Sequence, residues 1–155
     1  ADRSRGLGDV YKRQHLDTTV ILSRGQAGKG IYPAVDPLQS TCRLMDRHTL
    51  GSRHYGIAEG VREHLARYHE LEDIMAMLGI AELSAQDRKI VRRARQLQRY
   101  LTQPFWTTAS QTGIDGVSVA LEETLNDCDA FLTGRYDDVS EDQCYMRGAM
   151  GEASG

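Results

Sequence analysis

The hydrophobic and polar positions along this chain pass from a short strand-like run to helical spacing, and the pattern marks the elements. Thr18, Thr19, Val20, Ile21 and Leu22 form a short, β-branched, apolar run without helical spacing. Such a run predicts a buried strand. A lone strand can neither bury itself nor satisfy its edges, so it implies further sheet. From about His54 to Leu78 the period becomes helical. Ala58, Val61, Leu65, Tyr68, Leu71, Met75 and Leu78 recur every three or four residues and predict one continuous buried face ending at Gly79. After the loop GIAELS, Ser84 caps a second helix, with Asp87 as the acidic partner of a capping box and Ile90, Ala94, Leu97 and Leu101 as the buried stripe. Pro104 opens a third, short helix through FWTTASQ that stops before Gly113. A fourth carries Leu121, Leu125, Cys128 and Leu132 and ends at Gly134. Residues 54–134 therefore read as a helical bundle.

Residues 1–14, ADRSRGLGDVYKRQ, have neither apolar periodicity nor the hydrophobic stretch of a signal peptide. They read as a fusion or sequencing scar and are set aside from the fold. The remaining chain divides into 15–50, which holds the strand and loops, the helical region 51–151, and a tail at 152–155.

Composition narrows the function classes only a little. The 155 residues are 40% hydrophobic and 26% charged, which is ordinary globular composition with room for one core. The net charge of −3 and pI near 6.0 argue against a general nucleic-acid binder. Three distant cysteines, Cys42, Cys128 and Cys144, give no CxxC spacing and read as free thiols. His64 and His69 lie off a common helix face, so their spacing is no metal motif.

Three features invite a chemical reading. The run SRGQAGKG resembles a phosphate loop, but G-x-x-x-x-G-K-[ST] needs glycine where Ser23 stands and a hydroxyl where Gly30 stands. It reads as a glycine-rich connection after a strand. The helix bearing Arg88, Lys89, Arg92, Arg93, Arg95 and Arg99 could grip nucleic acid. Its intact apolar stripe and acidic surroundings favour a solvated or protein-facing surface. Tyr32 beside Pro33, and Phe105 between Pro104 and Trp106, are either packing residues or a stacking platform for a base; composition does not choose between them. No G-x-S-x-G or H-E-x-x-H occurs, and the carboxylates show no nucleophile or metal spacing.

The segments LDTTVILSR, GIYPAVDPLQST, LEDIMAMLGIAELS, RARQLQRYLTQPF, LEETL and GRYDDVSEDQCYMRG, in order from about His15 to Gly151, resemble the C-terminal part of the catalytic beta subunit of the rotary F-type ATP synthase. The resemblance implies a mainly α fold: a C-terminal helical bundle plus a remnant of the α/β P-loop nucleotide-binding domain. It places the P-loop, the magnesium-side acidic strand and the catalytic glutamate upstream, so this chain reads as a fragment with no catalytic residue or Mg2+ ligand of its own. It makes ATP or ADP with Mg2+ the parent's ligands. Tyr32 is then the aromatic that stacks on adenine, Phe105 lines the same pocket, Thr108 sits beside it, and Gln111 stands where the family has a second aromatic. Ala81, Glu82, Leu83, Ser84, Ala85, Gln86 and Asp87 match the lever loop that pushes on the central rotor. Three positions that are acidic in the family are Ala81, Ala85 and Gln86 here, and Arg147 replaces a usually apolar residue, which suggests a divergent or alternative type. The implied partners are alpha-type subunits in an alternating hexamer and a gamma-type central stalk, with no nucleic acid. The implied location is the cytoplasmic face of a bacterial membrane or an organelle inner membrane, peripheral and held through a membrane sector. A free-standing helical module that binds protein or nucleic acid is the competing reading.

Overall fold

The computed structural model describes residues 16–153; the segment read as a scar lies outside the described residues, as does the end of the tail. Strand β1 (Thr18–Thr19) pairs antiparallel with β2 (Thr41–Cys42), Thr18 opposite Cys42 and Thr19 opposite Thr41. Between them lie α1 (Arg24–Gly28) and a bridge from Leu22 to Val35. After β2 come α2 (Arg47–Leu50) and α3 (Ser52–Leu78). A 3-10 turn at Ile80–Glu82 leads to α4 (Ala85–Tyr100). A second 3-10 turn, Trp106–Thr108, runs into α5 (Ala109–Thr112), and α6 (Leu121–Thr133) follows. Two further 3-10 turns, Glu141–Cys144 and Met150–Ala153, close the described chain.

The apolar run at the start behaves differently from its prediction. Only Thr18 and Thr19 are in ladder pairing, and Val20 and Leu22 are exposed. Val20 and Leu22 share one face, which is left open, while Thr19 and Ile21 on the other face are half-buried. The glycine-rich connection contains one helical turn, α1, capped by Ser23, whose hydroxyl accepts from the Gln26 N–H at 3.4 Å. The third helix divides into the 3-10 turn Trp106–Thr108 and the short α5, and stops before Gly113 as expected, with Pro104 ahead of it instead of opening it.

The long amphipathic pattern does become α3, which packs against α4 and α6. Their facing stripes meet in one core of Ile57, Val61 and Leu65, Ala94, Leu97 and Tyr100, and Leu125, Cys128 and Phe131, closed by Cys144 and Met150. A residue larger than glycine at Gly60 would set its Cβ 2.9 Å from Leu132 Cδ1, so glycine permits the close approach of α3 and α6. The stripes are not wholly buried. Leu78, in the last turn of α3, is 65% exposed, and Leu121, in the first turn of α6, is also exposed.

Polar residues fold the closing segment back onto the bundle. The buried Gln96 amide donates to the carbonyls of Tyr136 at 2.7 Å and Val139 at 2.6 Å. The Arg93 guanidinium grips both oxygens of Asp137, at 2.8 and 2.7 Å, and the carbonyl of Leu132 at 2.7 Å. Asp127, also buried, accepts from the Tyr100 hydroxyl at 2.9 Å, the Tyr136 hydroxyl at 3.3 Å and the Met150 N–H at 2.8 Å.

Candidate functional site: an exposed aromatic wall and a capped loop

The loop after α1 is built from short backbone bonds. Gly30 N–H donates to Ala27 O at 3.0 Å, Ile31 N–H to Gln26 O at 3.0 Å, and Ser23 N–H to Ala34 O at 2.8 Å. Gly30 adopts φ +75°, a conformation that glycine enters without a steric penalty, and the chain turns there into Ile31–Val35. The peptide bond between Tyr32 and Pro33 is cis. Tyr32 is 44% exposed, so its ring is offered to the outside instead of filling the core.

Phe105 is brought to the same region by the chain leaving α4. Two residues before it, Gln103 donates its N–H to Tyr32 O at 2.9 Å. That bond ties the two aromatic-bearing segments together. Phe105 is 40% exposed and its neighbour Trp106 is 71% exposed. Trp106 lies over buried Gly116, where a Cβ would stand 2.5 Å from the Trp106 backbone nitrogen. Thr108 is half-buried, and its N–H and hydroxyl both bond Phe105 O at 3.1 Å. Gln111 is exposed on α5.

The wall offers π faces and amide or hydroxyl groups, but no paired nucleophile and base. A cleft of about 680 Å³ adjoins it, lined in part by Ile31, Pro33, Leu38, Leu65 and Tyr68 and by the ion pair of Lys29 with Glu72 at 2.9 Å; Tyr32 and Phe105 do not line it. Glu72 also bonds His69 Nδ1 at 2.9 Å, whereas His64 Nδ1 meets the Gly60 carbonyl at 2.9 Å, so the two histidines serve separate partners. Among the described residues no group of three or more His, Cys, Asp or Glu side chains could hold a metal ion. Nor is any helix among them long and apolar enough to cross a membrane.

The second candidate site is the loop between α3 and α4. Ala81, Glu82, Ser84, Ala85 and Gln86 are exposed, while Leu83 is turned inward, 7% exposed against Leu71 and Val91. Ser84 caps α4 by accepting the Asp87 N–H at 3.0 Å. The capping box is incomplete, because the Asp87 carboxylate turns away from the cap backbone. It accepts from the Ser84 hydroxyl at 2.9 Å and from Arg67 Nε at 3.0 Å. Arg67, ahead of the Ser84 bond, holds the Asp87 carboxyl below its ordinary range. Met77, Leu78 and Ile80 are exposed beside this loop.

The basic helix also becomes concrete. Arg93 is engaged by Asp137, Arg95 lies 5.9 Å from the centre of the Tyr68 ring, and Arg99 lies 5.1 Å from that of Tyr145. Arg88 reaches back to Ala81 O at 3.3 Å. Arg147 is half-buried and donates to Gln143 O at 3.2 Å. Gln103 lies within the quoted segment RARQLQRYLTQPF, but its tie to Tyr32 is made by its backbone N–H, and a backbone donor leaves no mark on residue type.

Known proteins give this geometry a context. The family model described as the C-terminal domain of V and A type ATP synthase matches residues 44–136, more than half of the chain. ATP synthase subunit beta 1 of Marinomonas sp. (strain MWYL1) is 46% identical over 93% of this chain, and ATP synthase subunit beta 2 of Syntrophotalea carbinolica is 48% identical over 93%. This chain spans only 29% and 30% of the length of those two relatives. Among solved structures, the ATP synthase subunit NeqB from Nanoarcheaum equitans aligns with a TM-score of 0.67 at 22% identity, covering 85% of this chain and 31% of that one. The ATPase EscN of the enteropathogenic E. coli type III secretion system aligns with a TM-score of 0.63 at 21% identity, covering 84% and 29%. At those identities the two structures speak for the fold alone. A helical bundle that follows a short sheet edge, matched by the domain model and by beta subunits along nearly its whole length, belongs to the ATP synthase family as the C-terminal region of a beta-type subunit.

Proposed function

We propose that this region supplies two mechanical parts of a rotary ATP synthase or ATPase: a wall of the adenine pocket and a lever against the central stalk. The observation that carries the reading is the Gln103 N–H to Tyr32 O bond, which sets two exposed aromatics on tethered segments. Stacking a base on an aromatic face is worth about 1–3 kcal/mol, and it needs rings held in place and open to the ligand. Tyr32 and Phe105 are the wall, Thr108 stiffens the turn behind Phe105, and Gln111 contributes an amide edge where the resemblance places an aromatic.

The phosphate end of ATP or ADP, with its Mg2+, is served by other parts of the subunit. Phosphoryl transfer is carried out by positioning and electrostatics, which this reading assigns to those other parts. In the assembled enzyme this subunit alternates with alpha-type subunits around a gamma-type stalk, and ATP synthesis or hydrolysis is coupled to ion transport. The complex sits at the cytoplasmic face of a bacterial membrane. The loop from Ala81 to Asp87 pushes on the stalk through shape, its stiffness set by the Ser84 cap and the Arg67–Asp87 pair. With Ala81, Ala85 and Gln86 at three positions that the resemblance makes acidic, charge contributes less to that push, and Glu82 is the acidic residue left exposed there.

The chain has a single tryptophan, Trp106, next to the wall, so its fluorescence reports on ligand there. Titration with adenosine should give a saturable change that disappears in Tyr32→Ala, with no ATP turnover by the chain alone. A response that survives Tyr32→Ala unchanged, or no response in the unaltered chain, refutes the adenine wall.

A further inference from the structure

We propose that Tyr145 is a positioning residue for the aromatic wall, acting on Tyr32 through the loop backbone. The proposal rests on the reading of Tyr32 given above. Tyr145 follows the 3-10 turn Glu141–Cys144 in the closing segment, yet its hydroxyl donates to Gly30 O at 2.9 Å, across 115 residues of sequence. Gly30 is two residues before Tyr32. The next alternate carbonyl, Tyr32 O, accepts from Gln103 at 2.9 Å. Two bonds from two separate segments thus grip the loop on either side of Ile31. One comes from the closing segment and the other from the chain leaving α4.

The phenol is itself held. Tyr145 is half-buried, and the Arg99 guanidinium lies 5.1 Å from its ring centre. Arg99 belongs to the last turn of α4, four residues before Gln103. The ring, the end of α4 and the loop therefore form one closed circuit of contacts: Tyr145 to Gly30, Tyr32 to Gln103, and Arg99 back to Tyr145. The hydroxyl is directed at the loop and not at the core, whose nearest member in sequence is Cys144. Removing it loosens the loop and leaves the bundle packed. The sequence of the closing segment would not assign this role, because a tyrosine beside a buried cysteine reads as packing.

The test is Tyr145→Phe in the full chain, which deletes the hydroxyl and keeps the ring under Arg99. Amide hydrogen exchange at Gln103, whose N–H makes the bond to Tyr32, should quicken about fivefold, the factor that corresponds to one neutral hydrogen bond. Amides inside α6 should keep their rates. Adenosine affinity, read from Trp106, should fall by a similar factor while the fluorescence at saturation stays the same. Unchanged exchange at Gln103 overturns the proposal. So does uniform acceleration across α4 and α6, which would make Tyr145 a general stabiliser. If exchange at Gln103 responds but adenosine binding is indifferent to Tyr32→Ala, the positioning of the loop stands and the adenine reading falls.

Discussion

Among single residues, Asp127 does most to distinguish the observed core from one built of apolar stripes alone. Its carboxylate is buried with three donors around it: the hydroxyls of Tyr100 and Tyr136 and the N–H of Met150. Burial, with Asp127 second, pushes the Tyr100 phenol far above its usual range, so it remains a donor throughout the working pH range. Truncating Asp127 to Ala strands those donors, of which the Tyr100 hydroxyl and the Met150 N–H are the more deeply enclosed. Each unsatisfied buried group costs about 1–3 kcal/mol, so Asp127→Ala should lose about 3 kcal/mol in urea unfolding and Asp127→Asn clearly less. Equal losses for the two variants would contradict this account. Nothing in the residue pattern signalled the site. The expected stripe of α6 is Leu121, Leu125, Cys128 and Leu132, whereas Asp127 and Phe131, four apart, share a face beside it. The buried arc of α6 is wider than one stripe, because Tyr100 and Tyr136 both pack on the Phe131 ring, at 5.2 and 4.8 Å between centroids.

The helical elements were legible because periodicity and end signals coincide. Gly79 and Gly134 end α3 and α6, and Ser84 starts α4, where the sequence places them. Legibility fails where burial depends on a partner. Thr18–Leu22 reads as a buried strand, but β2 covers only two of its residues. Leu78 continues the α3 stripe in sequence but is 65% exposed. The lever loop shows the same division inside one short segment. Leu83 is a core residue between Leu71 and Val91, and its neighbours Ala85 and Gln86 face outward. Leu83→Ala should therefore cost about 2–5 kcal/mol, the range for emptying a buried leucine site. Ala85→Glu and Gln86→Glu, which restore the acidic residues expected from the family, should stay within about 0.5 kcal/mol, as exposed substitutions do. Thermal melts of the three variants separate a stiff, packed lever from a flexible tether, in which Leu83 would be as tolerant as its neighbours.

At the scale of the whole molecule, the bundle is closed by polar clamps reaching from α4 to the segment after α6, and one of them gives folding a pH dependence of known sign. Arg93 binds Asp137 through two parallel N–H bonds and also takes Leu132 O, fastening the end of α6 to α4. The guanidinium, ahead of the opposing effect of burial, holds the Asp137 carboxyl below its ordinary value of 3.8. A carboxyl whose pKa is depressed by folding contributes stability that is complete above the unfolded value. That contribution is lost as pH falls through the lower, folded value. The pair is mostly shielded, with side chains 19% and 30% exposed, so it should contribute more than an open surface pair. Asp137→Asn should thus cost about 1–2 kcal/mol at pH 6, the scale of a charge-assisted bidentate bond. The same comparison in urea should show a difference that shrinks steadily as pH falls below the ordinary carboxylate range, because the Asp137 carboxyl takes up its proton first in the unfolded chain and only at lower pH in the folded one. A gap that stays constant from pH 6 to about pH 2 would mean that Asp137 acts through packing, and that the charge of Arg93 does not hold the closing segment in place.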